Sequence, residues 1–446
     1  MNDFLKFPTN FMWGTSVAAH QVEGGNTRND WWLWEQTPGH IVNNDSSAVA
    51  ADWWNRAGDD LRLARQLHTN AIRFSVEWSR IEPRENVWDD AALAHYRAVI
   101  EDMRRLGLEP MLCLHHFTLP QWLAGRGGFE TTWAVDRFAR FVERVVGEYG
   151  DLVRWWLTIN EPMIFTSMGW VLGRWPPGKK NLLLAFKVAR NLVLAHATAY
   201  HIIHRHVPGA LVSAANHLAV FSAHNPGRPS DRLVADSRDW LLNQVWVRAT
   251  LDGVMRPPLG WNQRLPEAVG AHDYLALQHY FTFPVAFNWR DPGNLFARDM
   301  GEPGPDIPPF MGESRPVGLH DRVMWLKQFD LPIVISEHGL LENNERRRPA
   351  YMLESLAGLH RAIQDGANVR GYFHWSLIDN FEWAEGYAAR FGLIHLDLAT
   401  QARTIKPSGY LYRDIAAANG ITREMAEKVS PVLAQGVFGA DKAAPR

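Results

Sequence analysis

The stretch Trp155-Trp156-Leu157-Thr158-Ile159-Asn160-Glu161-Pro162 decides how the whole chain is read. An apolar run of strand length stops at an amide, a carboxylate and a proline, which is the pattern of a buried strand entering a loop. Asn160 and Glu161 then stand at the strand's carboxyl end, where a parallel barrel keeps its chemistry. A second stretch, Pro332-Ile333-Val334-Ile335-Ser336-Glu337-His338-Gly339, has the same form: a β-branched run, one glutamate and a turn signal. Two strands therefore each deliver a carboxylate to one face. A lone glutamate beside a loop is ordinarily a solvated surface charge, so the pair has to be weighed with its surroundings.

Working outward, further apolar runs of strand length lie at 11–18, 71–78, 110–116, 210–217, 274–280 and 369–377. Helical spacing is predicted from Gly58 to His68 and over 89–106, 132–149, 182–205, 236–251, 320–329 and 350–365. Strand and helix alternate with no linker-like break, and barrels with loop insertions reach ~400 residues in one domain. The expected fold is α/β, a single (β/α)8 TIM barrel with long βα loops, as one domain over 1–446. Segment 282–316, rich in Pro, Gly and Phe, shows no clear period and is read as a functional loop. In such a barrel Gln21, Arg73, His115, Asn160, Glu161, Asn216, Gln278, Tyr280, Glu337 and Trp375 converge on one bowl.

Composition narrows the class. The chain has 446 residues, 46% of them hydrophobic and 21% charged, with a net charge of -2, so it has ample core material and no basic field for nucleic acid or an acidic membrane. Cys113 is the only cysteine, which excludes an intramolecular disulfide, and the first ten residues lack the basic start and apolar core of a signal peptide. A cytoplasmic protein without nucleic-acid or membrane partners is expected, and the sequence sets no oligomeric state. Its 21 Trp and 21 Phe would suit the apolar faces of sugars if they line a cleft.

Two carboxylates facing each other across a bond, among amides, imidazoles and indoles, are the parts for glycoside hydrolysis. Asn160 offers an amide to a sugar hydroxyl, and Arg73 and Tyr280 could hold Glu337 ionised as a nucleophile requires. The motifs carry a resemblance. Phe7-Pro8 with Phe11-Met12-Trp13-Gly14, Gln21-Val22-Glu23-Gly24, Thr158-Ile159-Asn160-Glu161-Pro162, Ile335-Ser336-Glu337-His338-Gly339 and Trp375-Ser376-Leu377-Ile378-Asp379-Asn380-Phe381-Glu382-Trp383 together resemble glycoside hydrolase family 1, the β-glucosidase family, from about Phe7 to Gly420. Residues 422–446 fall outside the likeness. The resemblance implies that Glu161 is the acid/base, Glu337 the nucleophile and Tyr280 the hydroxyl touching it. Gln21, His115, Asn160, Glu382 and Trp383 would bind the glycone, with Trp375 as its platform and Phe391 as an aromatic at the rim. It also implies a cis peptide bond at Trp375-Ser376, and a carboxyl separation of ~5 to 5.5 Å for a retaining pair.

The chain departs from the family's usual residues at His20, His116, Gln278, His279 and His338. These departures bear on substrate preference more than on the reaction, and His116 and Gln278 are taken as further substrate contacts. The four unusual histidines are read as polar supports or substrate contacts, because no two share a helix turn as metal ligands do. No metal or cofactor is expected. The activity implied is a retaining β-glycosidase for unphosphorylated β-glucosides or β-galactosides, a phosphate meeting a like charge at Glu382. The rivals are a transglycosylase with the same residues and a sugar-binding barrel that has lost the reaction.

Overall fold

In the computed structural model, which describes residues 3–291, 294–302, 308 and 311–439, the eight predicted strands close into one parallel barrel. In chain order they are β1 (Met12–Ser16), β2 (Ala71–Ser75), β3 (Glu109–His115), β4 (Trp155–Asn160), β5 (Leu211–His217), β6 (Leu275–His279), β7 (Ile333–His338) and β8 (Val369–Trp375). The ring closes where β8 pairs with β1, Phe373 opposite Gly14. A Cβ on Gly14 would stand 2.3 Å from the Phe373 ring, so that seam needs glycine. Inside, Ala71, Met111, Cys113, Leu157, Ala215, Tyr274, Ala276, Val334 and Phe373 fill the barrel as a packed core rather than a pore.

Around the barrel run α1 (Trp53–Gln66), α2 (Asp90–Arg105), α3 (Thr132–Tyr149), α4 (Leu182–His206), α5 (Val245–Asp252), α6 (Val317–Lys327), α7 (Arg348–Gln364) and α8 (Pro407–Ala418). Helix α2 starts where the Asp89 side chain accepts from Ala92 N–H, and α4 where Asn181 accepts from Leu184 N–H, the capping that polar residues give at a helix start. α4 is long and apolar enough to cross a membrane, yet it packs against α3 and the barrel strands, which accounts for its apolar face.

Several boundaries moved. α1 begins at Trp53, ahead of the Gly58 start read from the sequence. The helix before β6 opens at Pro229 and passes through a π-helical turn at Trp240–Gln244 before becoming α5. Segment 282–316 is not all loop: Thr282–Phe287 and Ala297–Asp299 join Val220–Ala223 in a three-stranded sheet, while 292–293, 303–307 and 309–310 lie outside the described residues. Helix α8 and the short helices Arg423–Val429 and Pro431–Phe438 have no counterpart among the predicted helices. Gly420–Thr422 pairs antiparallel with Phe4–Lys6, tying the two ends of the chain together, and 440–446 lie outside the described residues.

Candidate active site

Glu161 and Glu337 stand at the carboxyl ends of β4 and β7. Glu161 adopts φ 42°, ψ 60°, left-handed backbone at a position where Pro162 already restricts the chain. Its N–H donates to Ala215 O at 2.8 Å, which pins the turn to β5. A non-glycine residue held in that region costs of order 1–3 kcal/mol, and here it aims a carboxyl group rather than letting it follow the strand's alternation. Asn160, one residue earlier, accepts from Gln278 Nε2 at 2.8 Å and from the Arg73 guanidinium, and its own Nδ2 lies 3.3 Å from His116 Nε2.

Arg73 is fully buried and also donates to Glu337 Oε1, while the Tyr280 hydroxyl donates to Oε2 at 2.6 Å. One guanidinium thus ties β2 to β4 and β7, a planar donor fork suited to the task. Burial pushes the Glu337 carboxyl above the ordinary carboxylate range; the Arg73 charge pulls it back, the Glu161 charge pushes it up, and the bonds from Tyr280 and Arg73 pull it down. Glu337 and Glu161 are therefore close enough to feel each other's charge.

Beyond β8 the chain forms the cis peptide Trp375-Ser376 and then lays Glu382 and Trp383 beside the same bowl. Glu382 Oε2 accepts from Gln21 Nε2 at 3.1 Å, and Gln21 Nε2 also reaches Asn380 Oδ1 at 3.0 Å. The rings of His116 and Trp375 lie nearly parallel, 6.0 Å apart and 18° from coplanar, and His116 bears the same relation to Trp383 at 5.9 Å. Phe391 meets the Tyr280 ring edge-on at 5.7 Å. His115 is boxed by Phe129, Phe138 and Phe165, and burial lowers its pKa to about 3, so the imidazole is neutral. All thirteen site residues read from the sequence are thus at or beside the strand ends or on the loop after β8, and all are buried except Glu382, which is part-exposed.

Burial pushes Glu382 up to about 8, with a further push from Glu337, against the bonds from Trp375 and Gln21. The carboxyl at that position therefore holds its proton to higher pH than an ordinary carboxylate. The folded state then holds this proton more tightly than the unfolded chain, so the stability Glu382 contributes is present in acid and is lost as pH rises toward 8. Glu382→Gln, neutral throughout, is expected to gain Tm over the wild type above about pH 8 and to match it near about pH 5; calorimetry at the two pH values checks this, and a constant difference would contradict it.

The unusual histidines divide into two pairs. His20 and His116 flank Trp383, His20 at 5.8 Å and 15°. His279 and His338 face the helix layer instead: His338 lies 3.1 Å from the Tyr351 hydroxyl of α7 and 2.9 Å from that of Tyr372, and His279 Nδ1 donates to Leu218 O at 2.8 Å. Among the described residues no three His, Cys, Asp or Glu side chains are grouped to hold a metal ion. Asn216, expected in the bowl, donates back to Ala214 O at 3.0 Å. Its neighbour His217 is the one that reaches the site, with Nδ1 3.4 Å from Glu161 Oε1; its only sequence signal was its place at the end of a strand.

The glycosyl hydrolase family 1 model matches residues 4–258 and 302–421. The chain belongs to glycosyl hydrolase family 1. Within it, the chain is 30% identical to beta-glucosidase A of Acetivibrio thermocellus, over 93% of this chain and 99% of that protein. The beta-glycosidase from Pyrococcus horikoshii superposes with a TM-score of 0.88 at 33% identity, covering 96% of this chain and 98% of the other. The beta-glucosidase from Thermotoga maritima in complex with galacto-hydroximolactam superposes at 0.87 with 27% identity, covering 93% of this chain and 99% of that one. The family 1 model leaves 259–301 unmatched, a stretch that holds the two strands Thr282–Phe287 and Ala297–Asp299.

Proposed function

We propose that this family 1 glycoside hydrolase, as one catalytic domain, cleaves neutral β-glucosides, β-galactosides or both with retention, through a covalent glycosyl-enzyme. The observation that carries the reading is the cradle around Glu337: Arg73 on one carboxylate oxygen and Tyr280 on the other, with Glu161 across the site. Glu337 attacks the anomeric carbon while Glu161 protonates the departing oxygen. Glu161, now ionised, then takes the proton from the water that releases the sugar. Gln21, His115, His116, Asn160, Gln278, Glu382 and Trp383 hold the glycone hydroxyls, Trp375 is its platform and Phe391 closes the rim. Buried polar atoms ordinarily have partners, whereas Gln21 Oε1, both His115 nitrogens, His116 Nδ1 and Gln278 Oε1 have none among the described residues, a set that sugar hydroxyls would suit. A cytoplasmic location is supported by the lone cysteine, buried in the barrel.

Glucose and galactose configurations differ in the orientation of one hydroxyl. An adjustable carboxyl such as Glu382 can serve both, and the relative from Thermotoga maritima bears a galacto-configured ligand in its solved complex. A 6-phosphate would bring negative charge into a pocket that already holds the catalytic pair Glu161 and Glu337, and the buried Arg73 guanidinium is committed to Glu337 and Asn160. Neutral nitrophenyl β-glycosides are expected to exceed their 6-phosphates in kcat/KM by ~100-fold or more, about 2.7 kcal/mol of transition-state binding. A panel of both kinds, with product stereochemistry followed by NMR and acceptor sugars added in parallel, tests the reading. An inverted product removes the covalent mechanism, and dominant transfer to acceptors identifies a transglycosylase.

A further inference from the structure

His217 ends β5, in register with Gln278 of β6, which is in turn in register with Glu337 of β7. The imidazole lies nearly parallel to the Tyr280 ring, 5.8 Å away and 13° from coplanar, with the Phe281 ring 6.4 Å off. Its Nδ1 stands 3.4 Å from Glu161 Oε1. One ring therefore packs on the phenol that binds the nucleophile and meets the carboxyl read as the acid/base.

We propose that His217 is a positioning residue for Glu161, with its Nδ1–H directed at Oε1 so that Oε2 is the oxygen that carries the catalytic proton. The inference rests on the acid/base reading of Glu161 given above. A donor at Oε1 is compatible with both states that Glu161 must pass through, because that oxygen accepts whether the group is an acid or a carboxylate. The contact tightens when Glu161 ionises, since a hydrogen bond to a charged acceptor is roughly twice as strong as a neutral one. His217 thereby occupies Oε1 and leaves Oε2 to face the departing oxygen. Around this pair, Glu161 also faces Tyr280, Glu337 and Glu382, and His217 also faces Tyr280 and His279. Those groups stay in place when His217 alone is changed.

Side-chain shape separates the two things the ring does. His217→Asn puts an amide N–H where Nδ1 stands and removes the stacking; His217→Phe keeps the stacking and removes the donor; His217→Gln is polar but places its amide nearer the Nε2 position. The pH profile of kcat/KM and its dependence on leaving-group acidity are measured for the three variants, the wild type and Glu161→Gln. The Phe and Gln variants are expected to change the basic limb of that profile. They should also lose ~10-fold more on phenols of high pKa than on dinitrophenol, while the Asn variant tracks the wild type in both respects. An unchanged basic limb in the Phe and Gln variants, with equal losses on all leaving groups, overturns the proposal and leaves His217 a packing residue. If Glu161→Gln itself shows no leaving-group dependence, the acid/base reading has failed instead, and the two failures are told apart.

Discussion

Glu337→Gln is expected to lower kcat by ~10⁴-fold or more on every glycoside, activated or not, because removing a covalent nucleophile removes both chemical steps. The amide oxygen still accepts from Arg73, and the amide NH2 in place of the second oxygen can donate to a Tyr280 hydroxyl turned round to accept, so the cradle of the wild type is largely kept while the attacking charge is lost. The arginine then lies buried without its counter-charge, and loss of one partner of such a pair typically costs about 3–5 kcal/mol. A lower Tm should therefore accompany the lost activity, and circular dichroism separates the two effects. Azide, small enough to enter in place of the carboxylate, should restore turnover of an activated substrate in Glu337→Gly and give the inverted glycosyl azide. Restored activity with the original stereochemistry would instead exchange the roles of the two glutamates. In the wild type the acidic limb of kcat/KM should lie above the ordinary carboxylate range, since burial and the Glu161 charge raise Glu337 against the pull of Arg73.

Glu161→Gln should divide substrates by leaving group. Dinitrophenol departs without protonation, so the first step survives and a glycosyl-enzyme accumulates as a burst; alkyl and sugar aglycones need the proton and should lose ~10²- to 10⁴-fold. The second step is slowed for all, since no general base remains to activate water. Rapid-quench kinetics with mass spectrometry of the trapped ester reads both effects. Equal losses on all leaving groups, with no burst, would mean that Glu161 binds substrate rather than moving its proton.

The sequence by itself determined the barrel and named most of the residues that gather at its rim. Each strand announced itself as an apolar run closed by polar residues, and helical spacing marked most of the helices between them, because burial on both faces of a parallel strand leaves a composition that local reading detects. Strand-end position alone sufficed to name Arg73, Asn160, Glu161, Gln278, Tyr280 and Glu337, since the fold sends every carboxyl end to one rim. Which way each side chain points was decided by the tertiary structure. The ladder shifts between Leu157 and Asn160, between Leu277 and Gln278, and between Ile335 and His338. Each shift breaks the two-residue alternation on which a facing argument depends. That is why strand-end position points to Asn216 where the structure presents His217, and does not separate His279 and His338 from His20 and His116. Protonation was likewise beyond the sequence: Glu382 owes its raised pKa to burial and to Glu337, which lies on another strand and 45 positions away in the chain, a proximity that exists only once the barrel has closed.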